Sequence, residues 1–152
     1  MGAHVNGPRQ SHGRRSPALR PSPSLFECNE RLEQSLRSRH GGDTWFAEVE
    51  AKLHAYRACL HRHVMAAEGD QGWIADLRED EPRIEPLARR ARADFTRLDA
   101  LVLAVMATLR HPNRAARGVR HDLRQLVELT RRHRGRCARL VHEAFVIDLG
   151  VG

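Results

Sequence analysis

The sequence predicts an all-α protein, an up-down four-helix bundle of one short and three long helices with a disordered basic N-terminal tail. Three observations support this fold class. Apolar residues recur three and four positions apart, no stretch shows the sustained alternation of a strand, and Gly or Pro interrupts the periodic segments. The 152 residues are enough for one domain with a buried core.

The tail comprises residues 1–23, which are rich in Gly, Pro, Ser and Arg and contain no acidic residue. Because this segment has almost nothing to bury, we expect it to be disordered. Residues 24–152 form the predicted bundle domain.

The first two predicted helices are separated by a pair of glycines. Ser24 is a suitable N-cap for a short helix that ends at Gly41-Gly42. Asp43 or Thr44 then caps the first long helix, which we expect to run to about Ala67.

The remaining helices follow a short connection. A brief helical turn is predicted over residues 73–77, and Asp80-Glu-Pro82 opens a second long helix that runs to Arg110. Asn113 begins the third long helix, which continues to about Phe145.

Each long helix carries one metal-competent residue in its core-facing stripe. These residues are His63, Asp94 and His133, and each replaces an apolar residue in the spacing of its helix. Asp94 and His133 lie about fifteen residues from the connection between their helices, so we expect them to face each other. Two interpretations remain open: a metal site, or a buried Asp94–His133 hydrogen-bonded pair with an unrelated His63 near a helix end.

The other histidines of the helices fall outside the core-facing stripes. We therefore expect surface positions for His54, His61, His121 and His142. Cys137 lies four residues after His133 on the same face, either as a small apolar filler or as a further metal ligand.

Charge and cysteine content limit the remaining possibilities. The formal charge is +7, and nearly all of the positive charges are arginines. A basic chain of this kind is compatible with a phosphate-bearing partner. No apolar run is long enough to span a membrane, and we expect no membrane partner. Three cysteines do not make an even disulfide set, so we predict a reducing, cytoplasmic location. A phosphate-binding loop, a nucleophile elbow and an HExxH motif are all absent, which argues against an ordinary hydrolase.

Two stretches resemble a known family. Residues 63–95, HVMAAEGDQGWIADLREDEPRIEPLARRARADF, and the ending RRHRGRCARLVHEAFVIDLGVG are similar to actinobacterial hemerythrin-like, HHE-type cation-binding proteins. The resemblance covers roughly residues 44–152. It implies a helical bundle in which histidines and carboxylates hold a non-heme di-iron centre that binds oxygen or a related small molecule.

The resemblance also implies metal ligands. His63 and Glu68 match the His-x4-acid spacing of the family, whereas Asp94 stands where the relatives carry a histidine and no His-x3-Glu occurs in this chain. Glu143 flanks the core-facing stripe and is a candidate for a further carboxylate. The predicted metal ligands are His63, Glu68, Asp94, His133 and Glu143.

This ligand set predicts non-heme iron, with manganese as an alternative, because imidazole and carboxylate suit both ions. Zinc becomes the better choice if Cys137 is a ligand. The predicted function is a hemerythrin-like metal-binding protein, not an enzyme, that binds, senses or stores a small ligand such as oxygen. The alternative is a basic helical module that binds nucleic acid or a protein partner without metal; a homodimer is a further expected assembly.

Overall fold

The computed structural model describes residues 22–69 and 71–149. The predicted disordered tail lies outside the described residues except for its last two positions. All regular structure in the described part is helical, which confirms the predicted all-α fold class. The elements are α1 (Leu25–Arg37), α2 (Asp43–Glu68), α3 (Trp73–Asp80), a 3₁₀ turn (Pro82–Ile84), α4 (Glu85–Arg110) and α5 (Ala116–Leu149).

The start of α1 follows the local sequence closely, whereas the other long helices begin differently from the prediction: α2 starts at Asp43 after Gly42, which provides no side-chain cap. At α1, the Ser24 hydroxyl accepts from the Glu27 backbone N–H while the Glu27 carboxylate accepts from the Ser24 backbone N–H, a complete capping box. Pro82 opens a separate 3₁₀ turn, so α4 begins at Glu85, later than predicted. The last helix begins at Ala116 instead of Asn113, and the chain from His111 to Ala115 forms the turn before it.

The four longer helices form a closed ring of neighbours. Helix α1 packs on α2, α2 on α4, α4 on α5, and α5 on α1, while α3 packs mainly on α2 and the 3₁₀ turn. This arrangement is the helical bundle that the sequence predicts, whereas the up-down order of its helices stays a prediction.

The apolar core has two parts. The larger part is built by all four long elements and includes Leu60 on α2, Leu98 on α4 and Leu129 on α5. The smaller part lies beside α3 and the 3₁₀ turn and includes Ala67, Ala91 and Leu140 from the same three long helices. Along the chain, His63 and His133 fall between members of the two parts, whereas Asp94 lies between Ala91 and Phe95 of the smaller part. The three polar side chains therefore lie near the junction of the two apolar parts.

The predicted core-facing stripe of α2 is displaced at its beginning. Trp45 is buried and its indole N–H donates to the Ser35 carbonyl at 3.0 Å, whereas Phe46, the expected core residue, is only partly buried. The Arg114 guanidinium lies over the Phe46 ring at 4.7 Å and shields it from water. The hydrogen bond available to the indole explains why the tryptophan occupies the interior.

Cys28 of α1 and Cys59 of α2 form a disulfide in the structure, and Cys137 is a free, buried cysteine. An odd number of cysteines therefore does not exclude a single intramolecular pair.

None of the helices in the described ranges is both long and apolar enough to cross a membrane.

Candidate metal centre

Helices α2 and α5 bring three potential metal donors together. The Nε2 atoms of His63 and His133 lie 3.0 Å apart, and the Cys137 Sγ lies 3.3 Å from the Nε2 atom of His133. All three donor atoms fall within 4.8 Å of one another. Cys137 reaches the cluster because it follows His133 by four residues, about one helical turn.

Two aromatic rings hold the imidazoles in place. Phe95 of α4 meets both rings edge-on, at centroid distances of 4.9 Å to His133 and 5.7 Å to His63. Phe26 of α1 also packs edge-on against the His63 ring, at a centroid distance of 5.6 Å. His133 is fully buried and His63 partly buried, so the donors lie in a largely dry environment where charge is costly.

Asp94 contacts the opposite side of the His133 ring. Its Oδ2 accepts from the Nδ1 atom of His133 at 3.2 Å and from the Nε atom of Arg136 at 2.8 Å. Because an ionised carboxylate only accepts hydrogen bonds, the Nδ1 atom carries the proton and the Nε2 lone pair points at His63 and Cys137. A carboxylate that orients an imidazole in this way is the usual partner of a metal-binding histidine.

Burial sets the protonation of the three donors. It lowers the pKa of His63 to about 4, with a smaller contribution from His133. Burial also lowers the pKa of His133, against the opposing effects of its hydrogen bond to Asp94 and the charge of Asp94. The pKa of Cys137 rises to about 12, first through burial and then through the Asp94 charge. Two neutral imidazoles and a protonated thiol therefore meet at neutral pH.

The spacing of the donors suits a single metal ion. A tetrahedral Zn²⁺ ion separates two imidazole nitrogens by about 3.3 Å, and a nitrogen from a thiolate sulfur by about 3.6 Å. The separations of 3.0 and 3.3 Å must each lengthen by about 0.3 Å to admit such an ion. The third pair, His63 and Cys137, lies within 4.8 Å and must come to about 3.6 Å.

The two predicted glutamate ligands lie outside this cluster. Glu68 accepts from the Nε atom of Arg92 at 2.7 Å through Oε2, and its Oε1 is buried without a hydrogen-bond partner among the described residues. Glu143 accepts from Arg139 at 2.6 Å on the exposed side of α5. Each carboxylate is attracted by a nearby guanidinium. Neither joins His63 and His133.

The structure also places the remaining sequence candidates. Asp94 is 2% exposed and contacts His133, as expected for facing core positions. It hydrogen-bonds the Nδ1 side of the His133 ring and is not one of the three clustered donors. The surface positions predicted for the other histidines of the helices are confirmed; they are His54, His61, His121 and His142.

Sequence reasoning missed Arg136, which completes the group around Asp94. The available signal was its position three residues after His133, which puts both side chains on one face of α5. It was hidden among the many arginines of that helix.

A groove of about 670 Å³ lies between α2 and α4 next to this centre. Phe95 lines the groove and also contacts both imidazoles, so the groove and the cluster share this ring.

Comparison of the chain with protein-family models, with curated proteins and with solved structures finds no match.

Proposed function

We propose that this protein binds one transition-metal ion through His63, His133 and Cys137. The observation that supports the proposal is the convergence of these three donors, two of them neutral imidazoles, within 4.8 Å of one another. Asp94 contributes by orienting the His133 ring, and the thiol of Cys137 releases its proton to solvent when the metal binds.

The donor set does not fit the di-iron centre that the hemerythrin resemblance implies. Such a centre requires carboxylates, but Glu68 and Glu143 are engaged by arginines and Asp94 is engaged by His133 and Arg136. We therefore propose a mononuclear site. Iron and manganese, which favour carboxylates, suit it less well than an ion that accepts a thiolate, such as zinc.

Three protein ligands leave room for a small external ligand on a metal that takes four. The proposed role is therefore to bind, sense or store a small molecule at the metal, without turnover of an organic substrate. The groove between α2 and α4 is the proposed approach, because Phe95 lines it and also contacts both imidazoles. A cytoplasmic location remains part of the proposal, although the Cys28–Cys59 disulfide does not favour it.

The alternative, a basic module for nucleic acid or a protein partner, is less well supported. It depends on the arginines of α5, and several of them make contacts inside the molecule. Arg131 pairs with Glu33, Arg134 lies over Phe26, and Arg136 pairs with Asp94. Arginines committed to neighbouring helices are less available to phosphates.

Metal binding is tested with untagged protein. Co²⁺ serves as a spectroscopic probe and Zn²⁺ as its competitor, with metal content measured by mass spectrometry. We expect one equivalent to bind to the wild type, and His63→Leu and Cys137→Ser each to abolish high-affinity binding. His61→Ala on α2 and His142→Ala on α5 are matched controls at exposed histidines and should bind like the wild type. Equal binding by all five proteins would contradict the proposal.

A further inference from the structure

The chemistry of the three donors narrows the identity of the metal. We infer that the site takes copper, with Cu(I) as its preferred ion and Arg136 as the residue that sets this preference. The inference rests on the proposed metal site and adds the class of ion.

The first argument is the type and number of the donors. Two imidazoles and one thiolate form the trigonal His₂Cys set that is typical of copper sites, and thiolate sulfur favours Cu(I) over harder ions. Cu(I) is stable with three protein ligands and can still add a small ligand as a fourth, whereas structural Zn²⁺ sites have four protein ligands. Among the side chains described in residues 22–69 and 71–145, the cluster that includes His63, His133 and Cys137 has no fourth acidic, histidine or cysteine member.

The second argument is the charge of the buried site. Asp94 is 2% exposed, and its charge is balanced by Arg136, whose Nε atom lies 2.8 Å from Oδ2. Because Asp94 and Arg136 together carry no net charge, the only remaining charge among these groups is the negative charge of the Cys137 thiolate. A Cu(I) ion, with its single positive charge, neutralises it. Zn²⁺ would leave one uncompensated positive charge in a dry site, which is unfavourable unless an additional anion binds.

This charge balance assigns a specific role to Arg136. Its guanidinium does not reach the donors, but it neutralises the one carboxylate that could otherwise compensate a divalent ion. Without it, the negative charge of Asp94 and that of the thiolate would together balance Zn²⁺. Arg136→Gln should therefore shift the preference of the site from Cu(I) toward Zn²⁺ by about tenfold or more, because a full charge is removed close to the metal.

The experiment measures Cu(I) and Zn²⁺ affinity on the full-length protein. Under anaerobic conditions, Cu(I) is presented as its complex with a coloured chelator, and its transfer to the protein is followed by loss of colour. Zn²⁺ affinity is measured separately with a zinc-sensitive dye. The wild type should remove one equivalent of Cu(I) and prefer it to Zn²⁺, and Arg136→Gln should show the reduced preference. Arg132→Gln, an exposed arginine one turn earlier on α5, is the matched control and should behave like the wild type.

A second readout identifies the sulfur ligand. In a separate titration, Cu(II) is added directly to the metal-free protein. Cu(II) bound to a thiolate gives an intense charge-transfer band in the visible spectrum, which should appear with the wild type and disappear with Cys137→Ser. Circular dichroism checks that the variants fold. The Cys28→Ala/Cys59→Ala protein, which lacks the two cysteines of the disulfide, should keep both the band and the Cu(I) equivalent.

The outcomes separate the two proposals. Binding of Zn²⁺ by the three residues without Cu(I) uptake would overturn the copper assignment while leaving the metal site intact. Absence of binding by either ion would overturn both. Cu(I) uptake that persists in Cys137→Ser, or an unchanged preference in Arg136→Gln, would also count against the inference.

Discussion

His133 is the residue on which the centre of the molecule depends. Its ring is fully buried, its Nδ1 atom donates to Asp94, and its Nε2 atom lies close to both His63 and Cys137. Phe95 packs edge-on against the same ring at a centroid distance of 4.9 Å. A side chain with a specific contact at each polar atom has little freedom to adopt another rotamer.

Removing the carboxylate behind this ring should destabilise the protein. Asp94→Ala leaves the Nδ1 atom of His133 and the Arg136 guanidinium without their buried acceptor, which we expect to cost about 3 kcal/mol in the free energy of unfolding. The double variant Asp94→Ala/His133→Leu should recover part of this loss, because it also removes the orphaned imidazole. Urea denaturation of metal-free protein measures both changes.

Asp99→Ala provides the matched control on the same helix. Asp99 is half exposed and lies 3.6 Å from Arg57, so its loss should change stability by less than about 0.5 kcal/mol. Equal effects of the two substitutions would show that the Asp94 contacts contribute no more than a surface ion pair.

His63 should make the stability of the metal-free protein depend on pH. Burial, with a contribution from His133, lowers its pKa in the folded chain from 6.5 to about 4. Between these values the unfolded chain binds a proton that the folded chain does not, so stability is full above pH 6.5 and falls as pH is lowered toward 4.

The side chains that contact the His63 imidazole determine whether the pH dependence of stability arises from His63 alone. Phe26 and Phe95 carry no charge, whereas His133, whose pKa is also lowered, adds to the effect in the same direction. His63→Leu should therefore weaken the pH dependence without abolishing it. Urea midpoints measured across this range in the presence of a chelator give the slopes, and identical slopes for variant and wild type would contradict the assignment.

At the scale of elements, arginines hold α5 against its neighbours. Arg120 donates to the carbonyls of Leu36 at 3.1 Å and His40 at 2.7 Å, and its guanidinium lies over the Trp45 ring at 4.4 Å. Arg131 pairs with Glu33 of α1. The high arginine content of this helix therefore has a structural use, since a planar guanidinium can accept a ring on its face while donating at its edge.

Arg120→Ala should loosen the contact between α5 and the end of α1. We expect a loss of about 1–2 kcal/mol, because two carbonyls and an aromatic face lose their partner. Arg120→Lys should retain only part of the stability, since an ammonium cannot match the fork geometry. Thermal unfolding compares these proteins with Arg124→Ala, an exposed position on the same helix. Equal loss in Arg124→Ala would mean that net charge, not these contacts, is responsible.

Across the whole molecule, the disulfide joins the first two helices of the bundle. Cys28 and Cys59 are separated by 31 residues in sequence, and closing a loop of this size restricts the unfolded chain. Helix α1 also carries Phe26 against His63, so the same link keeps α1 beside the candidate metal centre.

Reducing this disulfide should lower the free energy of unfolding by about 2–4 kcal/mol. Chemical denaturation of the wild type with and without reductant measures the difference. The Cys28→Ala/Cys59→Ala protein should resemble the reduced wild type and should not respond to reductant. A wild type whose stability is the same in both conditions would contradict the prediction.

The sequence by itself determined the helical class, the approximate bounds of the long helices and the interior positions of Asp94 and His133. These features depend on local spacing: an apolar stripe of helical period defines which face is buried, and caps or prolines define where helices end. The errors at this level are small, such as Trp45 taking the core position expected for Phe46, and they arise where a tertiary hydrogen bond selects between adjacent residues.

Only the tertiary structure decided which side chains meet. His63 and His133 are 70 residues apart in the sequence, and no local pattern encodes the distance between them. Glu68 and Glu143 carry carboxylates that could bind a metal, but in the structure they form ion pairs with Arg92 and Arg139. Whether such a carboxylate binds a metal or forms an ion pair depends on whether a guanidinium lies within a few ångströms of it. For Glu68 that guanidinium belongs to another helix.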